Sequence, residues 1–374
     1  MGTAVPAQSA VTHRPLRILQ VVSSSATSGA EHHALVLSRM LQKHGHWVEV
    51  VCPPIPWMLE ALEQSKIRTH PMDMKSGLGL QGQRQMLKIV KGGNFDLIHS
   101  HLSRATYLGY VSGTLFRVPL VSTVHVETRE PVYKYIGRGR NRIVAVSNYI
   151  HGVLKGRGVR AGAIEVVYNG TDFADVAVES AQAVHREFGI PDERQLVGLV
   201  GRVAPEKGHH IALEALPSVL DQQPDTQLVF VGRTDGGFHE QLRETAVSLG
   251  VEDYVTFTGN REDVPRLFDA MTFSILPTVM ESFGLAVIEC MARGRPVVAS
   301  NVGALAELVA HEETGLLVDQ TPEAFSGAMS YLLSNPELCE KMGRNARIVI
   351  QEKFTVSQMV ERLEAVYSRV ADRT

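Results

Sequence analysis

The sequence predicts an α/β protein built from two doubly wound, parallel-sheet domains. Short apolar runs alternate with segments of helical period, this alternation occurs twice, and 374 residues leave room for two domains. Apolar residues make up 44% and charged residues 21%, so the composition is globular and excludes a disordered chain. The apolar runs are too short to span a bilayer. The three cysteines are far apart without a C-x-x-C pair, which predicts neither a disulfide framework nor a zinc site.

The first half predicts a parallel sheet that is covered on both faces. Fully apolar runs are typical of strands buried on both sides, and they predict strands at residues 17–22, 47–52, 96–99, 120–124, 142–146 and 164–167. Amphipathic helices fit between them at residues 31–43, 83–91 and 105–116. Residues 1–14 contain no apolar h-region, so we interpret them as a disordered tail rather than a secretory signal. The first domain is therefore predicted at residues 15–170.

The second half repeats the pattern after a polar linker predicted at residues 171–194. Strands are predicted at residues 196–200, 227–231, 255–257, 273–276, 296–299 and 316–318. Helices are predicted at residues 208–220, 239–249, 285–293, 304–311 and 322–333, which places the second domain at residues 195–353. Ligands of doubly wound sheets bind at the carboxyl ends of the strands, so we expect a site in a cleft between the two domains.

A turn of small residues follows the first strand of each half and opens a helix. Such a turn brings backbone N–H groups close to phosphate oxygens, and the helix dipole favours the anion. In the second half Arg202 and Lys207 lie in this turn, where two cations can stabilise a diphosphate leaving group without a metal. Neither turn reads G-x-G-x-x-G or G-x-x-x-x-G-K-[ST], which disfavours nicotinamide dehydrogenases and P-loop NTPases. The chain has no D-x-D, so we expect no metal and no other cofactor.

Two glutamates in the second half have the context of a ligand site. Glu281 directly follows the strand predicted at residues 273–276, and Glu289 lies on the helix that residues 282–285 open. One carboxylate can accept hydrogen bonds from sugar hydroxyls and the other from a ribose diol, while the helix N-terminus between them holds the phosphates. This arrangement predicts a site for a sugar nucleotide.

The sequence here resembles the retaining glycosyltransferases of family 4, which have the GT-B architecture of two Rossmann-like domains facing across a cleft. The resemblance spans nearly the whole chain in five ordered blocks: SGAE at 28–31, YNGTD at 168–172, GR with EKG at 201–208, ESFG with a later E at 281–289, and TGLLV at 314–318. It implies an N-terminal acceptor domain and a C-terminal nucleotide-sugar domain. It also implies a helix within residues 354–374 that crosses back onto the N-terminal domain, with Met359, Leu363, Val366 and Tyr367 on one side.

The resemblance implies a catalytic set of four residues. Arg202 and Lys207 hold the donor diphosphate, and Gly29 lets the N-terminal loop approach the same phosphates. Glu281 binds the transferred sugar as a positioning and electrostatic group. His125, which follows the strand predicted at residues 120–124, matches the active-site histidine of the family.

Further donor contacts are implied around the two glutamates. The main-chain N–H groups of Phe283, Gly284 and Leu285 assist Glu281, Glu289 binds the ribose, and Arg261 lies in a turn against the base. The sequence departs from the family at residues 232–237, where GRTDGG replaces the usual Gly-x-Gly. This bulkier, charged loop puts the identity of the donor sugar and its phosphate contacts in question.

Several histidines fall near the predicted acceptor site. His99 and His101 end another strand of the first domain and are expected to line the acceptor cleft. The tandem pairs at residues 32–33 and 209–210 are assigned no metal.

The predicted activity is transfer of a hexose, with retention, from a nucleotide sugar to a hydroxyl group. A UDP-sugar is favoured, with GDP-mannose as the other candidate. The expected acceptor is a glycan or lipid-linked molecule in cell-surface polysaccharide or glycolipid synthesis. We expect a cytoplasmic enzyme, peripheral on the inner membrane face, with no nucleic-acid partner.

The expected membrane contact follows from the charge distribution. Through Gly170 the chain carries 20 Lys and Arg against 9 Asp and Glu, whereas the remainder carries 17 against 31. Cations mixed with aromatic residues suit an anionic membrane surface. The cations concerned are Arg84, Lys88, Lys91, Lys134, Arg138, Arg140 and Arg142, followed by Lys155, Arg157 and Arg160. The alternative is an ordinary solvated basic domain.

Three other functions stay open at this point. Another GT-B sugar-nucleotide enzyme, such as an epimerase, would release no transferred product. A nicotinamide-dependent oxidoreductase is disfavoured by the missing glycine fingerprint. A non-catalytic binding module would have no need for cations that stabilise a leaving group.

Overall fold

The computed structural model describes residues 14–23, 29–74, 80–172, 181–234 and 236–372. They form two compact units. The first comprises the described residues up to Val144, with Leu154–Glu165 and those from Val360 onward. The second comprises Ala145–Val153 and the described residues of Val166–Met359. Residues 145–153 and 166–170, which the sequence analysis places in the first domain, therefore belong to the second unit.

The first unit is built on a seven-stranded sheet. Its strands are β1 (Arg17–Val22), β2 (Trp47–Cys52), β3 (Arg68–Pro71), β4 (Leu97–His101), β5 (Leu120–Val124), β6 (Arg142–Ala145) and β7 (Ile164–Val166). Their order is β3-β2-β1-β4-β5-β6-β7, and β1 pairs in parallel with both β2 and β4. The central strand β1 is almost wholly buried, as its apolar run requires.

The helices of this part of the chain connect successive strands. They are α1 (Gly29–Lys43), α2 (Pro56–Gln64), α3 (Leu80–Gly93), α4 (Ser103–Phe116), α5 (Val132–Ile136) and α6 (Asn148–Gly156). Helix α1 follows β1 and α4 follows β4, so both helices begin at the carboxyl edge of the sheet, where ligands of such folds bind.

The second unit is built on a six-stranded sheet. Its strands are β8 (Gln195–Val200), β9 (Thr226–Val231), β10 (Val255–Gly259), β11 (Phe273–Leu276), β12 (Val297–Ser300) and β13 (Gly315–Val318), in the order β10-β9-β8-β11-β12-β13. Its core joins apolar residues of β8, β9 and β11 to the buried face of α8, including Leu213, Leu216 and Phe230.

The later helices cover this sheet, except for the last of them, α15. They are α7 (Ala181–Phe188), α8 (His209–Leu220), α9 (Phe238–Ser248), α10 (Val264–Ala270), α11 (Leu285–Ala292), α12 (Leu305–Leu308), α13 (Pro322–Leu333), α14 (Pro336–Lys353) and α15 (Val356–Ala371). The predicted alternation of strands and helices is confirmed in both halves. The predicted linker, however, contains helix α7, because Val184 gives that segment a buried face.

Helix α15 packs on the first unit, as the sequence predicts. Its residues Leu363, Val366 and Tyr367 are buried. Glu364 accepts hydrogen bonds from His44 Nδ1 and His46 Nε2, both at 2.9 Å. Burial alone would raise the pKa of Glu364, but the hydrogen bonds from His46 and His44 outweigh it and lower the pKa. These hydrogen bonds anchor the helix.

None of the described helices combines the length and the apolar character that a membrane-crossing segment needs.

Candidate active site

Lys207 and Glu281 form an ion pair in the second unit. Lys207 ends a 3₁₀ turn (Pro205–Lys207) that follows β8, and Glu281 lies in the loop after β11, so neighbouring strands β8 and β11 bring the two together. Lys207 Nζ donates to Glu281 Oε2 at 2.6 Å, and both side chains are only partly exposed. A cation and a carboxylate that the sequence placed in one site are thus in direct contact.

Two glycines permit this close approach of the loops. A Cβ on Gly208 would lie 1.8 Å from the Pro277 carbonyl oxygen, and a Cβ on Gly303 would lie 2.2 Å from the Glu281 carbonyl oxygen. Both have positive φ, at +75° and +56°, which favours glycine. The Ala304 N–H then donates to that Glu281 carbonyl at 2.9 Å, which fixes the backbone that carries the carboxylate.

The N-terminus of α11 lies next in the chain after Glu281. Within the described residues, no backbone carbonyl accepts a hydrogen bond from the N–H groups of Phe283, Gly284 or Leu285. Phe283 is buried against Tyr168 and Phe354, with ring centroids 6.1 and 6.2 Å away, so the start of the helix is held by packing. Open N–H groups at a helix N-terminus suit an anion or a sugar hydroxyl.

Glu289 lies on α11 in a desolvating environment. Burial raises the pKa of its carboxyl to about 7. A carboxyl group poised near neutral pH can be driven to its charged form by a ligand that donates hydrogen bonds to it. A ribose diol is such a ligand, so the environment is compatible with the expected role.

The two predicted arginines differ from Lys207. Arg202 is exposed and pairs with Glu206 one turn on. Arg261 is bound to Glu187 and Asp263, both at 2.8 Å. Its guanidinium lowers the pKa of Asp263 to about 2. Arg261 is therefore engaged by two carboxylates, and contact with a base would need part of this network to open.

The structure describes only part of two loops that the sequence places near the donor phosphates. Gly29 begins α1 and is half-buried, while Ser28 lies outside the described residues. The other loop, at residues 232–237, contains Asp235, which lies outside the described residues. Its Arg233 carbonyl accepts a hydrogen bond from Val203 N–H at 2.9 Å. A Cβ on Gly232 would lie 1.9 Å from the Gly201 carbonyl oxygen, so this loop and the turn after β8 touch through backbone.

Glu307 is a functional candidate that sequence reasoning missed. It accepts hydrogen bonds from the N–H groups of Asn148 and Tyr149, at 2.8 and 2.7 Å, and from the Tyr168 hydroxyl at 2.8 Å. Ser147 Oγ donates to the Ser282 carbonyl at 2.7 Å. These bonds connect the start of α6 to the loop that carries Glu281. Their partners are at least 135 residues apart, so no local pattern could reveal them.

The first unit places the predicted histidines together at the carboxyl ends of β4 and β5. His101 Nδ1 and His125 Nε2 are 3.0 Å apart, and His125 is partly exposed. His33 packs edge-on against His125 with ring centroids 4.8 Å apart. Burial lowers the pKa of His125 well below 6.5, and neighbouring His33 and His99 lower it further, so the ring is neutral at pH 7.

The expectation that His99 and His101 line an acceptor cleft is wrong for the structure as described. Both side chains are completely buried, because β4 is the neighbour of the central strand β1 and is covered on both faces. His99 is hydrogen-bonded to Tyr367 and Thr123 instead. Both residues can act on a ligand only through His125 or another intermediary.

One group of described residues has the donor atoms of a metal site. Potential ligand atoms of His33, His101 and His125 all lie within 4.8 Å of one another. Three imidazole nitrogens suit zinc and related ions. However, His101 Nδ1 and His125 Nε2 are hydrogen-bonded to each other, and His33 meets His125 edge to face. We therefore interpret the group as a hydrogen-bonded cluster.

Comparison with known proteins identifies the family. Residues 180–349 match the family model of glycosyl transferases group 1, and residues 27–175 match that of Glycosyltransferase Family 4. A D-inositol 3-phosphate glycosyltransferase of Corynebacterium efficiens is 30% identical over 310 residues, which cover 74% of this chain and 72% of the relative. The chain belongs to glycosyltransferase family 4. Among relatives of that name at 30–31% identity, the match spans 65–74% of their length.

Solved structures show the same architecture. A glycosyltransferase from Rickettsia africae superposes with a TM-score of 0.86 at 22% identity, covering 97% of this chain and 100% of the other. HepE of Anabaena, solved with UDP and glucose, superposes with a TM-score of 0.82 at 23% identity, covering 94% and 98%. The GT-B fold that the sequence predicts is confirmed, and the family 4 chain is a glycosyltransferase.

Proposed function

We propose that this glycosyltransferase is a retaining, metal-independent hexosyltransferase that uses a nucleotide-sugar donor. The Lys207–Glu281 ion pair beside the open N–H groups of α11 carries the proposal. In the free protein each group is the counter-ion of the other. A diphosphate would compete for Lys207, and the Glu281 carboxylate would then be available to accept hydrogen bonds from sugar hydroxyls.

The chemistry requires charge stabilisation at the leaving group. The bond between the anomeric carbon and the diphosphate oxygen breaks, and the acceptor oxygen bonds to that carbon on the same face. The acceptor's proton passes to the departing diphosphate oxygen. Lys207, Arg202 and the α11 N–H groups stabilise the developing negative charge, so no protein base and no metal is required.

A UDP-sugar is the favoured donor. The expected ribose contact is Glu289, whose carboxyl has a pKa of about 7 and can be driven to its charged form by two hydroxyl donors. HepE, with the same fold, was solved with UDP and glucose, which supports this choice. GDP-mannose is the second candidate, since Arg261 and the loop at 232–237 leave the base and sugar contacts open.

For the acceptor, an anionic glycan or lipid-linked molecule is supported by a cavity of about 290 Å³ in the first unit. Its lining includes the cations Arg129, Lys134 and Arg157. Arg157 pairs with Glu127, and its Nη1 is buried without a hydrogen-bond partner among the described residues. The relatives named after D-inositol 3-phosphate also point to a phosphorylated hydroxyl compound.

A peripheral contact with anionic lipid is part of the same proposal. Arg84, Lys88 and Lys91 are all exposed along α3, as a membrane-facing row requires. Lys134, Arg138 and Arg140 are exposed too, beside the exposed Tyr135. Such a surface would bring the enzyme to a lipid-linked acceptor.

The decisive experiment combines ligand binding with product analysis. The melting temperature is measured with UDP, GDP, ADP, NAD and the matching sugar nucleotides, because a ligand at about 100 times its Kd adds about 2.7 kcal/mol. The selected donor is then incubated with phosphorylated polyol and lipid acceptors in EDTA, and proton NMR gives the anomeric configuration of the product. Stabilisation by NAD alone, an inverted product, an epimerised donor without transfer, or a strict need for metal would each contradict the proposal.

A further inference from the structure

Ser147 connects the start of helix α6 to the loop that carries Glu281, and both segments belong to the second unit. The Ser147 side chain is completely buried. Its hydroxyl donates to the Ser282 carbonyl oxygen at 2.7 Å, and its Oγ accepts the Ile150 N–H at 3.1 Å. A carbonyl oxygen can only accept and a backbone N–H can only donate, so the direction of both bonds is fixed.

The Ser282 carbonyl belongs to the same peptide unit as the Phe283 N–H. None of the described peptide bonds is cis, so the C=O and the N–H of this unit point in opposite directions. Ser147 therefore holds the Phe283 N–H directed away from its own hydroxyl. Among the described residues no backbone carbonyl accepts this N–H, which leaves it available to a ligand.

Glu307 fixes the backbone that carries Ser147. Its Oε2 accepts the Asn148 N–H at 2.8 Å, and its Oε1 accepts the Tyr149 N–H at 2.7 Å. These N–H groups begin α6, where a helix offers them no partner of its own and its dipole favours a carboxylate. Because the two residues directly follow Ser147, the carboxylate restricts where the Ser147 hydroxyl can point.

Tyr168 joins the carboxylate to the loop from a second side. Its hydroxyl donates to Glu307 Oε2 at 2.8 Å and accepts from Asn148 Nδ2 at 2.5 Å. Its ring lies beside that of Phe283, with the centroids 6.1 Å apart. The first residue of the YNGTD block at 168–172 thus contacts both Glu307 and the residue whose N–H Ser147 directs.

We propose that Ser147 is a positioning residue of the donor site: it aims the Phe283 N–H at a hydroxyl of the donor sugar, and Glu307 holds Ser147 in place. A sugar hydroxyl that donates to the Glu281 carboxylate keeps lone pairs that can accept this N–H. The part of the inference that concerns the sugar rests on the proposed function. The orientation of the Ser282–Phe283 peptide does not, because it depends on bonds within the second unit.

The first test separates the sugar from the nucleotide. Titration calorimetry gives the Kd of UDP and of UDP-glucose for wild type and Ser147→Ala. The variant should bind UDP-glucose about three- to tenfold more weakly, which is the worth of one neutral hydrogen bond, and should bind UDP as wild type does. The matched control is Ser274→Ala, which removes another buried hydroxyl of the second unit, bonded to the Gly198 carbonyl at 2.8 Å, and should leave both Kd values unchanged.

The second test observes the peptide unit without ligand. Ser–Phe occurs once in the sequence, so serine labelled with ¹³C at the carbonyl and phenylalanine labelled with ¹⁵N together mark only the Ser282–Phe283 peptide. In Ser147→Ala the carbonyl resonance should move upfield or split, because its hydrogen bond is lost, whereas Ser274→Ala should match wild type. In wild type, UDP-glucose should shift the Phe283 amide proton more than UDP does.

Three results would overturn the inference: equal weakening of UDP and UDP-glucose in Ser147→Ala, no weakening of UDP-glucose, or an unchanged carbonyl resonance in the folded variant. If Ser147→Ala does not fold, Glu307→Gln gives the same readouts, since its amide nitrogen cannot accept an N–H. If wild type binds GDP and GDP-mannose instead, that pair replaces the uridine pair. If wild type binds no nucleotide, the proposed function fails, and the carbonyl resonance still decides the orientation.

Discussion

Two properties of Glu289 can be tested separately: its raised pKa in the free protein and its expected contact with the ribose of a bound donor. Its pKa in the folded protein is about 7, against an ordinary value of 4.5. Between these two pH values the folded protein keeps a proton that the unfolded chain has lost, so the free energy of unfolding falls as the pH rises. The difference corresponds to roughly 3 kcal/mol, of which roughly 2.5 kcal/mol is lost between pH 5 and pH 8.

Glu289→Gln keeps the shape of the side chain and removes its titration. The free energy of unfolding of the variant, relative to wild type, should therefore rise by roughly 2.5 kcal/mol between pH 5 and pH 8. For a cooperative unit of about 200 residues this corresponds to a gain of about 5–10 °C in melting temperature. Scanning calorimetry at constant ionic strength, without nucleotide, measures the shift. The matched control is Glu244→Gln, which replaces a solvent-exposed carboxylate of α9 by an amide.

Glu289 should also make donor binding depend on pH. Whereas the free energy of unfolding falls as the pH rises, the affinity for donor should increase. If ribose hydroxyls donate to the ionised carboxylate, wild type should bind UDP-glucose about tenfold more tightly at pH 8 than at pH 6. Titration calorimetry should show weaker binding and a flat pH dependence for Glu289→Gln. If the melting temperatures of wild type and Glu289→Gln change with pH by the same amount, the argument from the buried carboxyl is refuted. A donor affinity of wild type that does not vary with pH would refute the ribose contact alone.

The other predictions concern the ion pair, the backbone beside it and the basic surface. Lys207→Ala should lose roughly 2.7–4 kcal/mol of transition-state stabilisation, read as kcat/KM, with Lys341→Ala on the exposed side of α14 as control. Activity within threefold of wild type would contradict the role of Lys207. Gly208→Ala should destabilise the second unit by more than about 2 kcal/mol, because backbone strain adds to the clash with Pro277. Gly236 has nearly the same φ, +74°, but open space around it, so Gly236→Ala should lower the free energy of unfolding only by the backbone strain. Replacing Arg84, Lys88 and Lys91 together by Ala should weaken sedimentation with anionic vesicles about 100-fold at low salt, at about 1 kcal/mol per cation. Wild type that does not sediment with these vesicles would remove the membrane contact.

Elements with strong apolar periodicity could be predicted from the sequence, and polar or charged ones could not. Strands β1 and β11 have the predicted bounds because their apolar runs need burial on both faces. Strand β3 reads RTHP and lies at the edge of the sheet, where it needs few apolar residues. Helix α14 was missed because much of its surface is exposed and charged.

The candidate site divides in the same way. The positions of Lys207 and Glu281 after strands β8 and β11 were enough to place them in one site, because neighbouring parallel strands end at the same edge. Their direct contact depends on Gly208 and Gly303, whose close backbone approaches are set by distant parts of the chain. The burial of His99 was not visible either, since a histidine at the end of a strand has the same sequence context whether it faces solvent or core.

The two groups of candidate residues differ in charge, and this difference suits a metal-free transfer. Lys207 and Glu281 are partly exposed and form an ion pair, which a diphosphate can exchange for its own contact with Lys207. His125 is bonded to the buried His101 and stays neutral, so in the proposed reaction it supplies neither a positive charge to a diphosphate nor a proton to a hydroxyl. The proposed mechanism therefore assigns the acceptor's proton to the departing diphosphate oxygen and asks no proton of His125, whose pKa burial and the neighbouring His33 and His99 lower.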